Sequence, residues 1–324
     1  SVTVQNIDAS NTVTVDGNGV ETINGNEVSE LRSQYALVQL ISNGSAWFIT
    51  SSAGTLGTGV VLVCPTGFIQ VPGNSTLGTS DFCVAKYEMK ADGSTVVSTA
   101  AGNPVVSISA TDSYTKCANM SETGFESGNF ALISNAEWMT IARNIEQVAG
   151  NWSNGAVGDG ALARGWASNS AVAPSTGASC LYGNGNSCSA TGNHLDKRTL
   201  TLSNGEEIWD FNGNVFEWVD WSSSDGSFTL GPTDGDTGGW NELDELVGSV
   251  TSNDLQPEGI DSYQPTPSDY GLGRFYPSTS GGAARRSGGW SSGSYAGAFT
   301  LELSAPPSYT YPNLGLRCVW RVIP

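Results

Sequence analysis

Histidine is almost missing from this chain: one residue, His194, stands among 324. Imidazole is the usual base at neutral pH and the commonest ligand for transition metals, so a histidine-built metal centre is excluded. A Ser-His-Asp relay would have to use His194, and no serine carries the glycine pattern of a nucleophile elbow. Cations are scarce as well, with Lys+Arg 13 against Asp+Glu 31 and a net charge of −18. A surface of that sign repels phosphate backbones and anionic membranes, which argues against nucleic acid as a partner. Charged residues of both signs make up only 14%. Uncharged polar groups must therefore cover much of the surface, as they do in secreted and virion proteins. No apolar run approaches the roughly 18 residues of a membrane-spanning helix, so membrane insertion is not expected.

The six cysteines include no C-x-x-C pair, which disfavours a zinc ribbon or a thioredoxin-type motif. Disulfides are the better reading, and they imply an oxidising, extracellular setting. Close spacing pairs Cys64 with Cys83 and Cys180 with Cys188, leaving Cys117 with Cys318, one connectivity among several.

Glycine is abundant, at 41 residues among Ser-, Asn- and Thr-rich stretches, which predicts many turns and short strands with little helix. Residues 1–61 stand apart, with no lysine and the single arginine Arg32. There Tyr35–Ile41 and Ala46–Thr50 flank an Asn-Gly turn and read as a hairpin. A β-rich piece this small has too little core to stand alone. It needs either the larger domain or copies of itself to pack on, so a homo-oligomer is open. From Cys64 the chain reads α+β. Asp81–Met89 is an expected strand, and Ser109-Ala-Thr-Asp112 is a capping box opening a short helix. The best helix runs from Asn135 to Ala149, capped by Ser134 with Glu137 three residues on and stopped by Gly150. Its stripe of Trp138, Ile141, Ala142, Ile145 and Val148 is core. Residues 150–190 and 221–285 are long polar insertions, expected together on one surface.

Residues 284–324 interleave two kinds of side chain. Trp290, Ala296, Gly297, Phe299, Leu301, Leu303 and Leu314–Cys318 read as framework. Between them lie Ser291, Ser292, Ser294, Tyr295, Thr300, Ser304, Ser308, Tyr309, Thr310, Tyr311 and Asn313. Over Phe299–Ser304 the period is two, so one face should pack and the other look outward. Tyrosine offers large rigid contacts and Ser and Asn adaptable hydrogen bonds, the mixture antibody loops use. These residues are the candidate ligand-binding positions.

At Phe82–Met89 (F-C-V-A-K-Y-E-M), Leu132–Arg143, Gly213–Val219 (G-N-V-F-E-W-V), Arg286–Trp290 (R-S-G-G-W) and Gly315–Val319 (G-L-R-C-V) the chain resembles the formylglycine-generating enzyme (sulfatase-modifying factor) family. The resemblance covers roughly residues 80–320. It implies an α+β, C-type-lectin-like domain over 62–324, preceded by the β-rich segment 1–61. Enzymes of that family use two cysteines just after the G-G-x-W motif to bind copper and attack a substrate cysteine. Here that stretch is Trp290–Gly297, without cysteine, and hydroxyls cannot replace thiolates. Related iron-dependent sulfoxide synthases use histidines that this chain lacks.

Residues 286–318 are similar instead to the variable region of diversity-generating retroelement variable proteins, which runs G-G-x-W, A-G-x-F, P-S, G-F-R. Leu316 replaces the usual Phe. In such proteins mutagenised Asn codons yield Ser, Thr, Tyr, Asp or Gly at solvent-facing sites, a set from which Glu302 is excluded. The resemblance implies a non-catalytic protein that displays a diversified surface to a protein or glycan ligand on a cell or virion. A sulfatase-modifying oxidase and a fixed structural surface protein are the competing readings. Arg286 and Arg317 are expected to tie the framework together. Glu217 is a candidate for a structural Ca²⁺, its hard oxygens suiting that ion, or else the partner of an arginine. Asp234–Glu245 echoes an EF-hand loop without the flanking helices. Gln256-Pro-Glu258 and Tyr311-Pro-Asn313 only partly echo sugar-binding lectin motifs.

Overall fold

The computed structural model describes residues 62–125, 129–168, 197–221, 230–232, 239–248, 252–277 and 282–321, together with six strands before them. The chain divides into two compact units, Ser1–Val63 and Cys64–Pro324. In the first, a sheet runs in the order Val2–Gln5, Leu37–Ser42, Ala46–Ala53, Thr22–Ile23, and a second pairing joins Val13–Asp16 to Val28–Leu31. Leu37–Ser42 and Ala46–Ala53 pair antiparallel, as the Asn-Gly spacing predicts.

The second unit mixes helices and strands. One antiparallel sheet has the order Phe130–Leu132, Cys318–Trp320, Phe82–Ala85, Phe68–Val71. A five-stranded sheet has the order Phe275–Tyr276, Leu301–Glu302, Arg285–Arg286, Phe216–Trp218, Leu314–Leu316. Its outer pairs, 275–276 with 301–302 and 216–218 with 314–316, are parallel. Helix α1 spans Ala110–Ala118, with Ser109 accepting from Asp112 N. Helix α2 spans Asn135–Glu146 and carries the capping box of Ser134 and Glu137. It ends at Gln147, short of the expected Ala149. The reason lies in the next turn, where Asn151 donates to Ile145 O at 3.0 Å and Trp152 Nε1 to Glu146 O at 2.8 Å. Those side chains satisfy the last carbonyls, so no further helical turn is needed.

The core gathers Trp138, Ile141, Ala142 and Ile145 of α2 with Phe211, Val219, Phe299, Leu301 and Leu303. Trp138 stacks on Phe211 at 4.0 Å, and its Nε1 donates to Ala298 O at 2.8 Å. Each large side chain so buried contributes about 1.5–3 kcal/mol. The described parts of the insertions do not simply lie on the surface as expected. Trp152, Leu162, Leu243, Leu255, Tyr263, Leu272 and Phe275 all join this core. Glu146 explains how the second insertion is held, accepting from Glu258 N, Gly259 N and Tyr263 Oη at 2.8–3.0 Å. Of Asp81–Met89 only Phe82–Ala85 is strand, because the chain then turns inward to bury Glu88 and Met89.

Disulfides join Cys64 to Cys83 and Cys117 to Cys318. The expected Cys180–Cys188 pair lies outside the described residues, as does His194.

Candidate ligand-binding surface

The segment that carries the candidate residues is pinned at its framework positions. Trp290 N donates to Asn214 O at 2.9 Å and Gly293 N to Ala167 O at 2.9 Å. Gly288 sits at φ +98°, where a Cβ would come within 2.7 Å of Ala296, so the G-G step serves close backbone approach. A 3₁₀ turn over Gly293–Tyr295 then lifts the chain outward. Ala296, Ala298, Phe299, Leu301, Leu303 and Leu314 are fully buried. Ser291, Ser294, Tyr295, Ser304, Ser308, Thr310 and Tyr311 are exposed, and Ser292 and Tyr309 are half-buried. Ser292 Oγ accepts from Gly289 N at 2.9 Å, so it also braces the turn.

Two candidates do not reach the surface. Thr300 is fully buried and donates its hydroxyl to Tyr295 O at 2.5 Å. Asn313 is buried beside Gly289, where an added Cβ would meet its Nδ2 at 2.4 Å. The expected alternation over Phe299–Ser304 also fails, since all but Ser304 are buried. The reason is the insertion 252–277. Phe299 N donates to Leu272 O and Leu301 N to Arg274 O, and Gly273 lies against Thr300, covering the face that a lone edge strand would expose.

The exposed tyrosines belong to a chain of stacked groups. Tyr311 and Tyr309 lie near parallel, 6.1 Å apart. The Arg285 guanidinium stands 5.4 Å from the Tyr309 ring centre and 5.0 Å from that of Phe216. Phe216 stacks on Trp240 at 6.4 Å, and Trp240 on Tyr295 at 5.3 Å with 5° between the planes. The Arg274 guanidinium covers Tyr295 at 5.2 Å, and Tyr276 meets Trp240 edge-on at 5.6 Å. Arg274 pairs with Glu242 at 2.6 Å and Arg285 with Glu302, which also receives Ser304 Oγ. The cations in the stack are thus neutralised locally, on a chain of net charge −18. Aromatic pairs and ring-bound cations of this kind contribute about 0.5–1.5 kcal/mol each.

With the surface in place, the chain can be set beside known proteins. No protein-family model matches it, and no curated protein matches it. Solved structures similar to it include variants of Major Tropism Determinant and a variable protein. The Major Tropism Determinant I1 variant aligns at TM-score 0.38 and 13% identity, over 80% of this chain and 53% of that one. The P3c variant aligns at 0.34 and 14%, with the same coverage. This chain therefore spans about half the length of those structures. Treponema denticola variable protein 1 aligns at TM-score 0.34 and 14% identity, over 88% of this chain and 99% of that one.

Sequence reasoning missed Trp240, Arg274, Tyr276 and Arg285 as members of this surface. Phe216 was visible only as part of G-N-V-F-E-W-V. No local pattern marks an aromatic in an insertion as the neighbour of a tyrosine 55 residues on, and only the folded sheet brings Trp240 to Tyr295.

Glu217 is fully buried and takes the arginine partner. Arg317 Nε donates to its Oε2 at 2.9 Å and Nη2 to its Oε1 at 2.7 Å. Burial pushes its pKa up and Arg317 pulls it back. A calcium ion there would have to displace the guanidinium, so the donor set does not fit one, and among the described residues no acidic cluster supplies another set. Arg317 also donates to Ala85 O and Trp209 O, and Arg286 to Asn135 Oδ1 and Phe299 O. Both arginines are framework ties. Residues 234–238 of the EF-hand-like loop lie outside the described residues. Gln256, from the lectin-like tripeptide, donates to Leu243 O at 2.8 Å and so faces its own framework.

Proposed function

We propose that this chain is a non-catalytic display protein whose C-terminal surface, within 286–318, is diversified to bind ligands. The scaffold is a C-type-lectin-like domain of the formylglycine-generating-enzyme type. Its role is attachment of a virus or cell to a protein or glycan partner, in an extracellular setting that the two disulfides suit. One observation carries this reading. The Ser, Thr and Tyr residues of exchangeable type at 291, 294, 295, 304, 308, 310 and 311 are exposed, while the apolar framework residues Ala296, Phe299, Leu301, Leu303 and Leu314 are buried. Side chains can change there without disturbing the core. The enzymatic thiol positions hold hydroxyls, which supports binding over catalysis. Copies assembled through the β-rich segment would multiply a weak single-site affinity by avidity.

Sequencing the gene from many individuals of one population tests the proposal. Substitutions should concentrate at these codons, spare Thr300 and Asn313, and be matched by a near-identical template repeat near a reverse transcriptase gene. An even spread along the chain would overturn it. Conversion of a peptide cysteine to an aldehyde with copper and oxygen, above a protein-free control, would sink the non-catalytic part.

A further inference from the structure

Tyr295 is 37% exposed, yet its ring is not free. Trp240 lies parallel to it and Arg274 covers it, and both come from outside the segment proposed to vary. We infer that Trp240 and Arg274 form a fixed socket for an aromatic ring at position 295, with Arg285 doing the same at 309. They are positioning residues that hold exchangeable tyrosines in place for a ligand. This rests on the display reading above and deepens it: the binding surface has a constant half as well as a variable one.

The socket walls are themselves anchored. Glu242, which holds Arg274, also accepts from Ser268 N at 2.9 Å and Ser268 Oγ at 2.7 Å. Next to Trp240, Asn241 exchanges both backbone hydrogen bonds with Phe275, at 2.8 and 3.0 Å. The Tyr295 carbonyl is fixed by Thr300 Oγ1. Arg285 is held by Glu302 on one side and sandwiched between Phe216 and Tyr309 on the other. Thr300 and Glu302 therefore brace the socket from within the segment, and both should stay constant while 295 and 309 change.

The chemistry is selective. A flat indole, and a guanidinium already paired with a glutamate, attract the face of an aromatic ring, while the short side chains of Ser and Asn offer no face to stack. Positions 295 and 309 should therefore favour aromatic residues, whereas 304, 308 and 310 should tolerate any small polar one. A ring already held loses less freedom when a ligand binds, which is how a rigid paratope gains affinity.

The test uses the full chain labelled with 3-fluorotyrosine and read by ¹⁹F NMR, with the Tyr295 signal assigned by its loss in Tyr295→Ser. In the unmodified chain that signal should be displaced from the free-tyrosine position by the Trp240 ring. Trp240→Ala should return it to the free position and narrow it, and Trp240→Phe should restore part of the displacement. The Tyr311 signal should not move, since that ring stacks on Tyr309. Should Trp240→Ala fail to fold, Trp240→Phe and Arg274→Gln still report, each expected to give a partial shift. A Tyr295 signal at the free position in the unmodified chain, or one indifferent to all three substitutions, would overturn the socket. The display reading fails separately: an invariant codon 295 in the population would defeat it and leave the spectroscopic result intact.

Discussion

Arginine–glutamate pairs in the interior and at the edge of this domain are used differently. In the interior, Arg317 and Glu217 are both fully buried, and the guanidinium spends its remaining donors on Ala85 O and Trp209 O. At the display edge, Arg285 and Glu302 keep 12% and 9% exposure, Arg274 and Glu242 keep 27% and 12%, and each guanidinium faces an aromatic ring. The interior pair meets geometry that only one partner satisfies. The edge pairs meet ring faces, which any aromatic side chain offers, so their geometry fixes the kind of residue above them rather than one particular residue. Rigidity below and tolerance above are the same interaction at two depths.

The largest effect should come from breaking the interior pair. Arg317→Met leaves Glu217 buried and uncompensated, and should lower stability by about 3–5 kcal/mol. Arg285→Met at the edge should cost less, about 1–3 kcal/mol, because Glu302 keeps the Ser304 hydroxyl as a donor and a little solvent contact. Urea unfolding of both variants reads the difference directly. Equal losses would mean that the two regions are not distinct.

A second interior feature gives an effect that depends on pH. Glu88 is fully buried, accepting from Asn214 Nδ2 at 2.6 Å and Val215 N at 3.1 Å. Burial, with Asp210 nearby, lifts its pKa to about 8, while an unfolded glutamate titrates near ~4.3. Between those values the folded chain keeps a proton that the unfolded chain has released. The stabilisation from this group is therefore fully present below about pH 4.3 and is lost as pH rises through about 8. Urea midpoints at two pH values within and above that window should fall more for the unmodified chain than for Glu88→Gln. Parallel falls would remove Glu88 as the cause. The display edge should contribute little to this slope.

Local patterns were readable in the sequence wherever a local rule decides them. Ser134 and Glu137 announce the start of α2 and Ser109 and Asp112 that of α1; the stripe Trp138, Ile141, Ala142 and Ile145 is the buried face of α2, while Val148, expected with it, lies past the helix end and is half-buried. The contrast of buried framework and exposed polar residue was legible only in places, as at Leu303 and Ser304. What stayed hidden depends on which distant segment covers which face. Thr300 looked exposed because period two says only that two faces exist, and Gly273 and Arg274 close the second. Trp240 looked like filler in an insertion because its partner ring is joined to it only through the sheet. Glu217 had two chemically sensible partners, and only the fold puts Arg317 within reach.

The finest prediction concerns the boundary between the two regions, which runs through the candidate positions themselves. Tyr311 is 50% exposed and its ring stacks on the half-buried Tyr309. Tyr311→Ser should change stability by no more than about 0.5 kcal/mol, as surface substitutions do. Thr300→Val keeps the shape but removes the hydroxyl that donates to Tyr295 O. It should cost about 1–2 kcal/mol, because a partly buried acceptor loses its partner. The order of the two losses is what matters: if Tyr311→Ser proved the more damaging, exposure would not be the property that decides which residues of this segment can be exchanged, and the distinction between scaffold and display would have to be drawn elsewhere.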